Sequence, residues 1–220
     1  RVDRRQRQMC IRDSLCMAWY LSGGTGLCAA DSGIGARWIF FDGLGSTSLA
    51  DVEAGHKELD LTAAYSVGGF TFQIADLWWG GQGNNRYFHY GNKDTDHHFE
   101  AGVSYVLPCE KFPLSMAWYT VFAGDDENAD GKRQYSSYAE FNYPFSVKGI
   151  ALNATLGLVP YKSMSTGLGY MTDGFAITNI ALKATKEIRL SSSFSLPLYA
   201  QVICNPKMED AHLVLGFTLR

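Results

Sequence analysis

The sequence predicts an all-β protein, an antiparallel up-and-down β-barrel of the transmembrane kind. Three observations carry that expectation. Apolar and polar residues alternate with period two through most of the chain after residue 43, and strand side chains point to alternate faces. The alternating runs are about nine to eleven residues long, the length a tilted strand needs to cross a bilayer. From Gly68-Gly69 onward the connections run short, long, short, long, short, long, short. Outer-membrane barrels pair short periplasmic turns with longer extracellular loops.

Composition narrows the class. At 220 residues, 46% of them apolar, the chain suits one domain and is too apolar for a disordered protein. No apolar run approaches about 18 residues, so no transmembrane helix is encoded; a barrel needs none. Aromatics at 14% and 23 glycines suit interfacial rings and tight turns. A net charge of −3 gives no footing for nucleic-acid binding.

The first residues read differently. Arg4 to Ser14 matches, residue for residue, the translation of a transposase adapter used in sequencing libraries. Residues 1–14 are therefore expected to be an artefact detached from any fold. Residues 15–42 lack the later alternation and begin at the adapter junction. A one-base shift turns Met17 to Tyr20 into W-R-G and Arg37 to Asp42 into G-G-F-S-L. That second string repeats the grammar of Gly68-Gly69-Phe70-Thr71-Phe72, so a frameshift is expected, with a divergent but genuine strand region as the alternative. Residues 36–49 are expected to be pressed into a strand nonetheless, and Ala211 to Leu219 to lack a regular partner on its free side. The chain as written should then fail to make a stable pore. A lost gene start also means that a missing secretion signal says nothing about location.

The domain itself spans 43–220. Glu58 to Trp79 is its first clear hairpin: Leu59, Leu61, Ala63, Tyr65 and Val67 share a face, Gly68-Gly69 turns, and Phe70, Phe72 and Ile74 resume. Asp76 falls in phase with Phe72 and Ile74, and a bulge near it is expected to restore the alternation. Gly80 to Asp96 is a long polar loop. Strands follow over His97–Leu107, Leu114–Ala123, Gln134–Tyr143, Ile150–Val159, Phe175–Thr185, Phe194–Cys204 and Ala211–Leu219. The connections among them include an acidic loop from Gly124 to Lys132, a turn from Pro144 to Lys148, a long loop from Pro160 to Gly174 and a turn from Lys186 to Ser193. About nine strands are readable from Glu58 to Leu219, and single-chain bacterial barrels usually have an even number.

With this strand and loop grammar assembled, and with the closing strand His212-Leu213-Val214-Leu215-Gly216-Phe217-Thr218-Leu219, residues 45–220 resemble the TorF-like porins of Gram-negative outer membranes. The resemblance implies a barrel of about a dozen strands in the outer membrane, with transport as its inferred role. Arg220 departs from the aromatic residue that ends many such barrels.

The face opposite the apolar one supplies a candidate lumen: Asp60, Thr62, Gln73, Glu100, Glu140, Asn142, Asn153, Lys183 and Gln201. Its acids predict a modest cation preference. Trp78, Trp79, Tyr87, Phe88 and Tyr90 are expected at the extracellular interface, and Phe112, Tyr143 and Phe145 at the periplasmic one. The expected partners are outer-membrane lipids, small hydrophilic solutes and the barrel-assembly machinery, with no cofactor and no catalytic residues. A non-conducting adhesin or anchor acting through its loops is the first alternative. A lipid-modifying enzyme and a soluble barrel holding an apolar ligand are weaker ones.

Other motifs carry less. Asp126 to Gly131 opens like a calcium loop, D-x-N-x-D-G, but position twelve is Ser137 and no helix flanks it, which favours a solvated loop. His89, Asp94, Asp96, His97 and His98 could gather in one loop, yet His97 and His98 should point to opposite faces. No G-x-S-x-G elbow is present, and His212 has no partner evident in sequence. Cys109 and Cys204 should sit at opposite ends of the strands, beyond disulfide reach.

Overall fold

The computed structural model describes residues 16–22, 38–48, 57–80, 86–91, 95–163, 172–192 and 194–217. The expected adapter arm, residues 1–14, lies outside them. The described residues form eleven strands: β1 (Cys16–Ser22), β2 (Trp38–Ser48), β3 (Lys57–Val67), β4 (Phe70–Gly80), β5 (His97–Val106), β6 (Ser115–Gly124), β7 (Ser137–Val147), β8 (Ile150–Val159), β9 (Ala176–Arg189), β10 (Ser195–Asn205) and β11 (Asp210–Phe217). Each pairs with the next in one sheet of order β1 to β11, and every pairing is antiparallel. Among the described residues there is no helix, and no pairing joins β1 to β11. The expected strand within 36–49 is β2, which pairs with β3 from Thr47↔Lys57 to Trp38↔Ser66.

The turns explain the meander. Gly68 and Gly69 take φ of 56° and 84°, and Lys148 and Gly149 take 49° and 76°. Positive φ at both central residues is the type I′ geometry whose twist matches that of the flanking strands. The connections 68–69, 107–114, 148–149 and 190–194 lie at one end of the sheet, the turn end. The β4–β5, β6–β7, β8–β9 and β10–β11 connections leave the sheet at the other, the loop end.

Three local expectations are corrected. No bulge shifts Asp76: β4 stays in step with β3 and β5 on both sides of it. The register shifts occur instead at Phe99/Glu100 between β5 and β6, and at Gly157/Leu158 between β8 and β9. Asp76 can hold its phase because partners for its carboxylate lie on the same face. The expected turn from Pro144 to Lys148 is mostly strand. Proline lacks a ladder donor, but pairing with β6 ends at Ser115↔Asn142, so Pro144 has a neighbour on one side only. The expected turn from Lys186 is also shorter, because Lys186, Glu187 and Arg189 pair with Leu198, Pro197 and Ser195. Charged residues near a sheet end stay in the ladder while their heads reach water.

Register puts the polar residues on one face. Ala64, Gln73, Gly102, Tyr119 and Tyr138 form one continuous row of direct partners across β3 to β7. Asn153, Lys183, Gln201 and Val214 form another. The opposite face carries Leu61, Phe72, Ile74, Val103, Trp118, Leu156, Leu182, Val202, Leu213 and Leu215, all exposed. Polarity is thus inverted relative to a water-soluble sheet: the polar face is buried and the apolar face is bare.

Gly124 tests how the loop end is built. Its φ is 88°, and a Cβ there would collide with the His97 backbone carbonyl. At Gly68 a Cβ would meet nothing, so only the positive φ is strained. Gly68→Ala is expected to cost roughly 1–2 kcal/mol. Gly124→Ala should cost clearly more, read as a lower midpoint in urea unfolding. Equal midpoints for the two variants would contradict the collision.

Candidate functional site

All nine residues of the candidate lumen set lie on the polar face. Asp60 is paired with Leu77, Thr62 with Ala75, Glu100 with Ala75 and Val121, and Glu140 with Ala117 and Gly157. Asp60, Thr62, Glu100, Glu140 and Gln201 are buried, and Gln73, Asn142, Asn153 and Lys183 are half-buried.

Their side chains form a network rather than a set of isolated groups. Asn179 Nδ2 donates to the Tyr138 hydroxyl at 3.0 Å, and that hydroxyl donates to Glu140 Oε2 at 2.8 Å. Asn142 Nδ2 donates to Glu140 Oε1 at 2.8 Å. Asn142 Oδ1 in turn accepts from Asn153 Nδ2 at 2.9 Å and Thr155 Oγ1 at 2.7 Å. Each oxygen of the Glu140 carboxylate therefore has a donor, which is what lets a charge stay where water is scarce. Lys183 Nζ sits 4.0 Å from the centre of the Tyr199 ring, a cation–π contact.

Glycine shapes this face. The Tyr119 ring lies over Gly102, the Tyr138 hydroxyl over Gly157 and the Tyr199 ring over Gly216, leaving no room for a Cβ at any of the three. Gly102–Tyr119 and Gly216–Tyr199 are direct cross-strand partners. Each tyrosine lies flat along the sheet instead of projecting from it.

Toward the loop end the polar face carries an apolar layer. Ala75, Leu77, Trp79, Val121, Tyr138 and Val159 pack together, and Leu77, Val121 and Val159 have 0% exposure. Trp79 is the one residue of the expected extracellular ring that faces this way. Its register partner is Glu58, whose Oε1 accepts from Trp79 Nε1 at 2.9 Å, and its ring meets His98 edge-on with centroids 4.4 Å apart.

The rest of the expected rings lie on or beside the apolar face. Trp78, Phe88 and Tyr90 each meet the Tyr87 ring edge-on at the loop end. Phe112, Tyr143 and Phe145 stack at the turn end.

Sequence reasoning missed the cluster around Asp76. His97 Nδ1 lies 2.6 Å from Asp76 Oδ1, and Tyr90 donates its hydroxyl hydrogen to Asp76 Oδ2 at 3.0 Å. His97 Nε2 donates to the Tyr87 carbonyl, which can only accept. The His97 ring stacks on Tyr90 at 4.0 Å and is fully buried. This arrangement pins residues 87–90 against the apolar face. The pairing of an in-phase Asp76 with His97 was available as a signal, because β4 and β5 run antiparallel and bring the two to the same face one row apart.

His97 and His98 do point to opposite faces. Asp94 lies outside the described residues, and among the described residues no group of three or more His, Cys, Asp or Glu is placed to hold a metal. In the calcium-like loop, Asn128 Oδ1 accepts from the Asp130 and Lys132 amides, and the Asp126 carboxylate accepts from the Ser136 amide and hydroxyl. Its oxygens thus close the loop on itself. His212 Nε2 meets Asp210 Oδ2 at 2.9 Å. Cys109 and Cys204 are free.

No protein-family model, no curated protein and no solved structure matches the chain.

Two predictions follow from these contacts. Asp76→Ala removes the acceptor that holds Tyr90 and His97. Trypsin should then cut after Arg86 about tenfold faster, since a charge-assisted hydrogen bond is worth about 1.5–3 kcal/mol; an unchanged rate would remove the pin. The second concerns pH. Burial raises the Asp125 carboxyl above the ordinary aspartate range, and the charges of Asp96, Asp126 and Glu127 add to it. Burial also raises Asp126, against the bonds from Ser136. Raised values mean that the folded loop binds protons more tightly than the unfolded chain. Their stabilisation is fully present below the ordinary value of about 3.9 and is lost as pH rises through the raised ones. Amide protection at Gln134 and Ser136, corrected for intrinsic exchange, should fall as pH rises from about 4 to about 7. Asp125→Asn should flatten that dependence.

Proposed function

We propose that this chain is an outer-membrane β-barrel of the kind represented by the TorF-like porins, conducting small hydrophilic solutes with a preference for cations. The observation that carries the reading is the inverted polarity, kept in register across the sheet. An exposed apolar face suits hydrocarbon, and a polar face suits a hydrated lumen. In this reading the sheet closes on itself with about a dozen strands, because an open edge in hydrocarbon leaves backbone groups unsatisfied. The loop end faces outward and the turn end faces the periplasm. Trp78, Tyr87, Phe88 and Tyr90 sit at one headgroup level, and Phe112, Tyr143 and Phe145 at the other. Membrane lipids and the barrel-assembly machinery are the partners this implies.

The cation preference rests on the polar face, where Glu58, Asp60, Glu100 and Glu140 are buried and Lys183 is half-buried. A second reading, a non-conducting barrel acting through its loops, is favoured by the full burial of Leu77, Val121 and Val159.

Planar-bilayer recording of the intact gene product, with the N-terminal reading frame restored, separates the two. Single-channel steps with a reversal potential on the cation side of a salt gradient are expected from the first reading. Glu100→Gln with Asp60→Asn should lower the cation-to-anion permeability ratio by a factor of about two or more. A folded, inserted barrel without steps would leave only the second reading.

A further inference from the structure

We infer that Leu77, Val121 and Val159 form a hydrophobic gate across the lumen, a layer that opens and closes conduction by wetting and drying. The inference rests on the channel reading above and adds to it a closed state and its location.

The layer's composition argues for a gate rather than an ordinary core. Leu77 is the direct partner of Asp60, and Val121 is the direct partner of Glu100. Val159 packs in one cluster with Tyr138, whose hydroxyl holds Glu140. Branched apolar side chains of one packed cluster thus sit beside carboxylates on the same face. A core selected for stability would leave the carboxylates out, because burying a charge is costly even when it is paired. A conducting lumen has a use for both. The carboxylates select and stabilise a passing cation, and the apolar side chains exclude water, and with it the ion, until the layer is wetted.

The burial pattern fits the closed state. Leu77, Val121 and Val159 have 0% exposure, and Asp60, Glu100 and Glu140 beside them range from 0% to 5%. Further from the loop end the same face loosens: Gln73, Gly102, Asn142, Asn153 and Lys183 are only half-buried. The constriction therefore belongs to the loop-end half of the strands. Trp79 lies against it, held to Glu58 by its indole N–H and packed against His98.

The test compares the chain with two variants in planar bilayers under a potassium chloride gradient. Val121→Thr with Val159→Thr adds two hydroxyls at nearly constant volume, and Leu77→Ser opens the layer further. Each protein is first checked for the heat-dependent gel shift of a folded barrel, and the same set is prepared with the N-terminal reading frame restored. The gate predicts rare, brief openings of the unaltered protein. In the variants, openings of the same unit conductance or larger should last at least tenfold longer. If the unaltered protein is steadily open and the threonine pair changes nothing, the gate is overturned and the channel reading stands. If the variants conduct and the unaltered protein never opens at any voltage, the layer is a permanent seal and the gate is again overturned. If no folded protein in either set conducts, the channel reading fails and the gate falls with it.

Discussion

The structure depends on one constraint: the strand period of two must be carried in register from each strand to the next. A slip of one residue anywhere would exchange the faces of every strand beyond it. The ladder from β3 to β11 keeps its faces through both register shifts, so Glu100 and Val121 remain on the side of Tyr138, and Gly157 remains on the side of Asn179. Both irregularities lie near the loop end, where bulges bend a strand and re-aim its last side chains.

That constraint sets the energetics of the two faces. Placing all the polar residues together makes them partners for one another. Glu140 accepts from Tyr138 and Asn142, and Asn142 from Asn153 and Thr155. The same logic runs in reverse on the apolar face, where Asp76 would be an isolated charge. There the chain brings His97 and Tyr90 to it, and residues 87–90 lie against that face. A polar residue on the wrong face is thus tolerated by assembling a second polar site around it.

Much of this was legible from alternation alone. The strands between Glu58 and Leu219 were readable because their runs are long and regular, and Gly68-Gly69 marked its turn through the backbone freedom that only glycine has. The polar-face set was legible for the same reason: a residue two positions from a known polar position shares its face. What could not be read depended on neighbours. Pro144 looks like a turn until its strand is seen to have one partner there. Trp79 looks like an interfacial residue until β3 brings Glu58 opposite it. Asp76 looks like a phase error until β5 supplies His97. In each case the deciding contact comes from another strand.

The tyrosine–glycine pairs have a consequence for how such a wall can change. Tyr119, Tyr138 and Tyr199 lie flat only because Gly102, Gly157 and Gly216 offer bare backbone beneath them. A methyl group at any of these glycines would tip the phenol away from the wall and into the space it borders. In the proposed channel the free width of the lumen would therefore change by single substitutions, one ring at a time, without a change in strand number or pairing. In the proposed channel these small residues, rather than the large ones above them, would set the calibre.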